Sequence, residues 1–265
     1  MINKTTSLFS ILICICILTV NRSFAGNSMN TEITNKLQKA KELYNHREDC
    51  EILKSAIEEY KNILKQLSQS EEVRNKRSAE ILIELSKCYF KLAEYHAKNN
   101  YEKGLWFEIG EKYGREAISL DPNNIGGYYW MVQNIGEHGS ISKLYFLNRK
   151  GDFEEALKKA KMLDNHIKPY DYSGVYRTLT AYYTPRFMWG DLDTALEYAK
   201  EMEDSPRYLI NLSVLADVYW KIDKEKAKKY AKYVMNADLS KFPETKFENS
   251  IVQKNTAKKW KKLLE

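Results

Sequence analysis

Reactive side chains are sparse in this chain, and their spacing limits the chemistry they could do. Four histidines stand at positions 46, 96, 138 and 166, and no two share the i, i+4 spacing that sets a pair of imidazoles on one helix face. His46 and Cys50 are four apart and a helix would bring them to one side, but two ligands do not make a zinc site. There is no Gly-x-Ser-x-Gly elbow, His-Glu-x2-His, phosphate loop or Cys-x2-Cys. The paired glycines of "GEKYG" and "IGGYY" do not sit between a strand and a helix, so they read as close-packing and turn positions. No catalytic residue, metal or cofactor is expected, and the chain is read as acting by binding.

The first 25 residues are set aside before any fold is considered. Lys4 supplies a positive start, "LFSILICICILTV" (8–20) an apolar core of 13 residues, and "SFA" (23–25) small residues before Gly26. This reads as a cleaved signal peptide, because 13 apolar residues fall short of the ~20 that span a bilayer. Cys14 and Cys16 each follow an isoleucine rather than a small residue, so no lipid attachment is expected there. The product is expected to be exported, to the periplasm or beyond, without a stable membrane anchor. With Lys4 and Arg22 removed the formal charge falls from +6 to +4, and 42 basic residues are intermixed with 36 acidic ones. Such a surface does not suit nucleic acid. Cys50 and Cys88 are left, able to form one disulfide in an oxidising compartment or to remain two buried thiols.

Residues 26–265 are read as one all-α domain. Ile33, Leu37, Ala40 and Tyr44 recur at helical spacing, as do Ile52, Ala56, Tyr60, Ile63 and Leu67. Leu82, Leu85, Tyr89 and Leu92 form another stripe, and Gly110, Gly114 and Ala117 share a face of a helix that stops at Asp121-Pro122. Five prolines and 11 glycines are too few for a turn-rich all-β chain.

A repeat organises these helices. Asp152, Asp191 and Asp223 lie 39 and 32 residues apart, each four before an alanine (Ala156, Ala195, Ala227), and each alanine is four before another (Ala160, Ala199, Ala231). Ala-x3-Ala leaves room for a partner helix to nest, and the aspartate before it is expected to cap the helix after a Gly-Asp turn. "LSVLADVYWKIDKEKAKKYAKYVMNAD" (212–238) resembles the tetratricopeptide repeat (TPR), with Leu215-Ala216 and Tyr219 on its first helix and Ala227, Ala231 and Val234 on its second. Three further pairs carry extra residues, notably at 97–106 and 137–150. A degenerate pair (31–67) precedes them and a terminal helix (245–265) closes the array, giving ten to twelve helices in a TPR-like α-solenoid. The basic ending "KNTAKKWKKLLE" is read as a capping helix, with membrane-surface binding as the alternative.

A narrower resemblance rests on "AISLDPNNIGGYYWMVQNIG" (117–136), "MWGDLDTALEYAKEM" (188–202) and the Glu-Asn-x7-Ala ending of Glu248, Asn249 and Ala257. Residues 50–265 look like the T-component family of TRAP transporters. That resemblance implies a periplasmic helical-repeat protein that associates with a solute-binding protein, can form a trimer, and has an apolar-lined channel.

In a TPR-like array the first helices line a concave surface. Counting from Leu85, Met131, Leu179 and Leu215, the inward positions are Lys87 and Phe90, Tyr129 and Gln133, Arg177 and Thr184, and Asp217 and Trp220. This mixed surface suits a peptide or a polar-ended ligand, and Arg177 could grip a carboxylate. Arg186 is a second such candidate, beside aromatic runs (128–130, 182–183, 187–189) that either fill gaps between uneven repeats or line an apolar groove. Burial of Arg177, Tyr129 and Trp220 would count against an open groove.

Overall fold

The chain was studied as a computed structural model, which describes residues 31–67, 74–165, 167–185, 190–203 and 208–264. The signal-peptide reading, Arg186 and the run 187–189 lie outside the described residues. Among the described residues every regular element is helical. Backbone contacts group the chain into two compact units, Met1–Arg74 and Asn75–Glu265, within what the sequence suggests is one domain.

The first unit holds α1 (31–45) and α2 (Cys50–Leu67), the degenerate pair. Lys39 bonds Glu59, and Gln66 donates to Glu32 at 3.3 Å, so the two helices run antiparallel. Asp49 starts α2 by accepting from the Glu51 and Ile52 N–H groups at 2.8 and 3.1 Å. Of the stripe read from sequence, Ile33, Ala40, Tyr44, Ala56, Tyr60, Ile63 and Leu67 are buried, while Leu37 and Ile52 are half-buried and Leu53 and Ile57 complete the core.

The second unit carries four helix pairs and a final helix. They are α3 (Arg74–His96) with α4 (Asn100–Leu120), α5 (Ile125–Ile141) with α6 (Lys143–Leu163), α7 (Gly174–Tyr183) with α8 (Leu192–Lys200), α9 (Leu209–Tyr219) with α10 (Lys224–Asn236), and α11 (Lys246–Leu264). All six repeat alanines, at 156, 160, 195, 199, 227 and 231, are buried. Gly110 and Gly114 let α5 approach α4 closely. A Cβ on Gly114 would lie 2.8 Å from the Met131 Cβ and 3.0 Å from its backbone.

α11 takes the place of the first helix of a further pair. It runs alongside α9, with Thr256 Oγ1 3.3 Å from Ser213 Oγ, Lys259 paired to Asp217, and Trp260 against Trp220 with ring centroids 5.1 Å apart. Gln253 Nε2 donates to the Val234 and Ala237 carbonyls at 3.1 and 3.0 Å, satisfying acceptors that the end of α10 leaves over. The terminal helix therefore caps the last pair.

One expectation needs correction. Asp191 and Asp223 do cap α8 and α10, but Asp152 caps nothing: Gly151-Asp152 lies inside α6, which starts well upstream behind Ser142. The extra residues before Ala156 extend the helix N-terminally, and Ser142 takes over as cap by accepting from the Tyr145 N–H. For the same reason, the inserts at 97–106 and 137–150 are mostly lengthened helix rather than loop. Of the two states left open for Cys50 and Cys88, the structure has free thiols, with Cys88 buried within α3 and Cys50 half-exposed at the first residue of α2.

Candidate functional site

Two of the inward positions, Tyr129 and Arg177, meet in one buried cluster around the arginine. Arg177 is in the first turn of α7, 7% exposed. Its Nη2 donates to Asp171 Oδ2 at 2.8 Å and to the Tyr129 hydroxyl at 2.6 Å, and its Nη1 to Asn211 Oδ1 at 2.8 Å. Tyr129 in turn donates to Asp171 Oδ2 at 2.5 Å. The guanidinium carbon lies 5.0 Å from the Tyr208 ring centroid. Residues from α5, α7 and α9 thus meet on one side chain, through the fork geometry that suits Arg to several acceptors at once.

The loop that supplies Asp171 has an uncommon backbone. Asp171, Tyr172 and Ser173 have φ of 47°, 54° and 64°, three consecutive left-handed non-glycine residues. Such residues cost about 1–3 kcal/mol each and persist only where their surroundings hold them. Here Asn211 Nδ2 donates to the Tyr172 carbonyl at 2.6 Å, Gly174 N to that of Tyr170 at 2.8 Å, and Arg177 Nη1 to that of Asp171 at 3.4 Å. The same buried polar groups hold the loop and satisfy the arginine.

Burial pushes the Tyr129 phenol well up, against the pull of the Arg177 charge, so it stays a donor to Asp171. Burial opposes the charge on Arg177, but Tyr129 and Asp171 outweigh it and hold the guanidinium above its ordinary value. Burial, aided by a hydrogen bond to Glu244, pushes Tyr172 up to about 12.

A second buried ion pair joins α3 to α11. Lys91 Nζ of α3 is 3.1 Å from Glu248 Oε1 of α11, with the two side chains 6% and 4% exposed. Its ammonium lies 5.4–5.9 Å from the ring centroids of Phe90, Tyr95 and Trp130. Trp130 bridges the clusters: its ring meets Phe90 at 5.6 Å and Tyr129 at 5.0 Å, and its Nε1 donates to Tyr170 at 3.2 Å.

The expected inward residues therefore meet different ends. Tyr129 and Arg177 are brought together but buried, so the carboxylate gripped by Arg177 is the chain's own Asp171. Thr184 is buried and donates to the Thr180 carbonyl of its own helix at 2.6 Å. Gln133 donates to Thr178 at 2.7 Å, joining α5 to α7. Lys87 stays half-exposed, 3.4 Å from Glu84, while Phe90 packs on Phe107 and Trp130. Asp217 and Trp220 are occupied by Lys259 and Trp260 of α11. The aromatic run 128–130 fills space between helices, with only Tyr128 left half-exposed.

Sequence reasoning missed Asp171, Asn211, Tyr208 and Lys91. Asn211, in the apolar run "YLINLSVLA", carried a usable signal, because a polar residue on a buried stripe needs a partner. A further cluster was also missed. Buried Glu111 accepts from Arg115 Nε at 2.8 Å and from Tyr145, pairs with Arg149 at 3.2 Å, and Tyr145 stacks on buried His138 with centroids 3.6 Å apart. Among the described residues no group of three His, Cys, Asp or Glu could hold a metal ion.

No family model matches the chain, and no curated protein matches it either. Among solved structures it is similar to a thermophilic TPR protein of Thermus thermophilus, with a TM-score of 0.57 at 16% identity, over 85% of this chain and 97% of that one. At that identity the likeness speaks to fold alone. The fold is that of a TPR-like array of antiparallel helix pairs.

Proposed function

We propose that this chain is an exported, non-catalytic module that binds other proteins, serving as an accessory or scaffold component in solute uptake. One observation carries the binding part. The lengthened starts of α4 and α6 leave Tyr101, Leu105, Leu144 and Leu147 exposed, at 82%, 45%, 70% and 55%. Glu111 on α4 contacts Tyr145 and Arg149 on α6, and Arg115 contacts Asp152, so the two helix starts lie at the same end of the array. Large apolar side chains left exposed on neighbouring helix starts suit a protein contact surface. TPR-like arrays present such surfaces on a rigid frame.

The uptake part rests on the likeness of the Gly-Asp-x3-Ala element and the Glu-Asn ending to the T-component family, and export rests on the residue pattern of 1–25. A periplasmic solute-binding protein is the partner this reading favours. The test is crosslinking of the tagged mature protein in its native envelope, with mass spectrometry of what co-purifies. Recovery of a solute-binding protein crosslinked near 101–105 or 144–147 is expected. Recovery only of other envelope proteins sinks the uptake role and leaves a general scaffold. Recovery of nothing but the chain itself leaves a homo-oligomer.

A further inference from the structure

The inner faces of the first helices are already occupied by a segment of the same chain. Glu244 accepts from the Tyr172 hydroxyl at 2.8 Å, and the Phe247 ring meets Tyr95 of α3 edge-on at 5.0 Å. Glu248 pairs with Lys91 of α3 at 3.1 Å. Asn249 Oδ1 accepts from the N–H of Leu209 at 2.9 Å, a donor at the start of α9 that no turn of its own helix satisfies. Asn249 is held for this by donating to Thr245 Oγ1 at 2.9 Å. Residues 244–249 thus touch α3, the left-handed loop and α9 together. A helix that only capped the last pair would need α9 and α10 alone.

We propose that this face is a peptide-docking groove held closed in cis, and that its partner is a protein segment starting a helix with an aromatic residue followed by glutamate. The chain's own Phe247-Glu248 displays the chemistry that fits. Tyr95 receives the aromatic ring, Lys91, itself surrounded by Phe90, Tyr95 and Trp130, receives the acid, and a backbone donor at the start of α9 receives the next polar side chain. A buried ion pair contributes little net stability relative to apolar packing but fixes which partner fits. A segment bringing the same pair therefore replaces the cis contacts with equivalent ones. The strained loop lies in this surface through Tyr172, as expected of strain kept where binding happens.

The groove deepens the reading of the chain as a protein-binding module and rests on it. Closure in cis lowers the apparent affinity for any competitor by the fraction of time the groove stands open. The experiment is an anisotropy titration of a fluorescein-labelled peptide, Phe-Pro-Glu-Thr-Lys-Phe-Glu-Asn-Ser, matching residues 242–250. It is run on the full mature chain and on its Phe247→Ala/Glu248→Ala variant. The variant is expected to bind on the order of tenfold tighter than the parent. Adding Lys91→Met, or changing the peptide's second glutamate to lysine, is expected to abolish binding. A variant with parental circular dichroism and no binding, or binding that survives Lys91→Met, overturns the proposal.

If the variant does not fold, hydrogen exchange on the parent decides. Amides of 250–253, the first to bond within α11, exchanging faster than those of α9 support local opening, and exchange only at the rate of global unfolding rules it out. Neither assay depends on an envelope partner. A partner captured through 101–105 or 144–147 beside a failed peptide titration would leave the module intact and remove the groove.

Discussion

Two buried charged clusters in the second unit solve the same problem in opposite ways. Around Arg177 the cation is sealed, at 8% side-chain exposure, and its acid Asp171 reaches water at 23%. Around Glu111 the acid is sealed, at 6%, and its cations Arg115 and Arg149 reach water at 39% and 44%. The sealed arginine shares its donors among Tyr129, Asp171 and Asn211, and Asn211 is fully buried. The sealed glutamate instead collects several donors, most of which water can satisfy if the acid is lost. What a buried charge is worth therefore depends on whether the groups left behind can find water.

The largest expected effect follows directly. Arg177→Met strands the fully buried Asn211 Oδ1, leaves Asp171 and Tyr129 without their cation, and removes one of the bonds that steady the left-handed loop. Loss of about 3–5 kcal/mol in urea unfolding is expected, the range for removing one partner of a buried pair. Arg177→Lys restores the charge without the fork and is expected to recover only part of it. A cost below about 1 kcal/mol for Arg177→Met would place this pair with ordinary surface ion pairs and erase the contrast.

Glu111→Gln is expected to cost less, about 1–3 kcal/mol, since Arg115 and Arg149 turn to solvent and the amide still accepts from Tyr145. Equal costs for Glu111→Gln and Arg177→Met would break the comparison. The Glu111 cluster also predicts a pH dependence. His138 is buried beside Tyr145, and burial lowers its pKa against the smaller opposing pull of Glu108 and Glu111. The unfolded chain then takes up the proton first. The stability due to neutral His138 is fully present above about pH 6.5 and is lost as pH falls through the lowered folded value. Between pH 7.5 and 5.5 the urea midpoint is expected to drop less in His138→Gln than in the parent. An identical drop would assign the acid sensitivity to other groups.

The helix pairs were legible because their signals are local or repeat. Apolar residues at period 3.6 mark each helix, and the alanines at 156–160, 195–199 and 227–231 mark where partners nest. Asp191 and Asp223 were legible as caps because a cap bonds its own next turn. What Tyr129 and Arg177 face was not legible, because joining Arg177 to Asn211, or Lys91 to Glu248, depends on how successive pairs stagger. Unequal helix lengths set that stagger, and α4 and α6 have 21 residues where α8 has 9. The same lengthening moved Asp152 from a cap to a helix face, where its carboxylate reaches Arg115 at 2.6 Å.

That displacement makes the smallest prediction the one whose sign matters. Two Gly-Asp pairs look alike in sequence and differ in backbone. Gly190 has φ +124°, and a Cβ there would lie 2.7 Å from the Tyr183 carbonyl oxygen, so alanine is strained. Gly151 lies exposed within α6, and a Cβ there would meet nothing within 4 Å. Glycine inside a helix costs up to about 1 kcal/mol relative to alanine, through the freedom it loses on folding. Gly151→Ala is therefore expected to stabilise the chain by about 0.5–1 kcal/mol in urea unfolding. Gly190→Ala is expected to destabilise it. If Gly151→Ala also destabilised, α6 would be broken at that point in solution. Asp152 would then act as a cap like its two counterparts, and the Glu111 cluster would lose its link from Arg115 to Asp152.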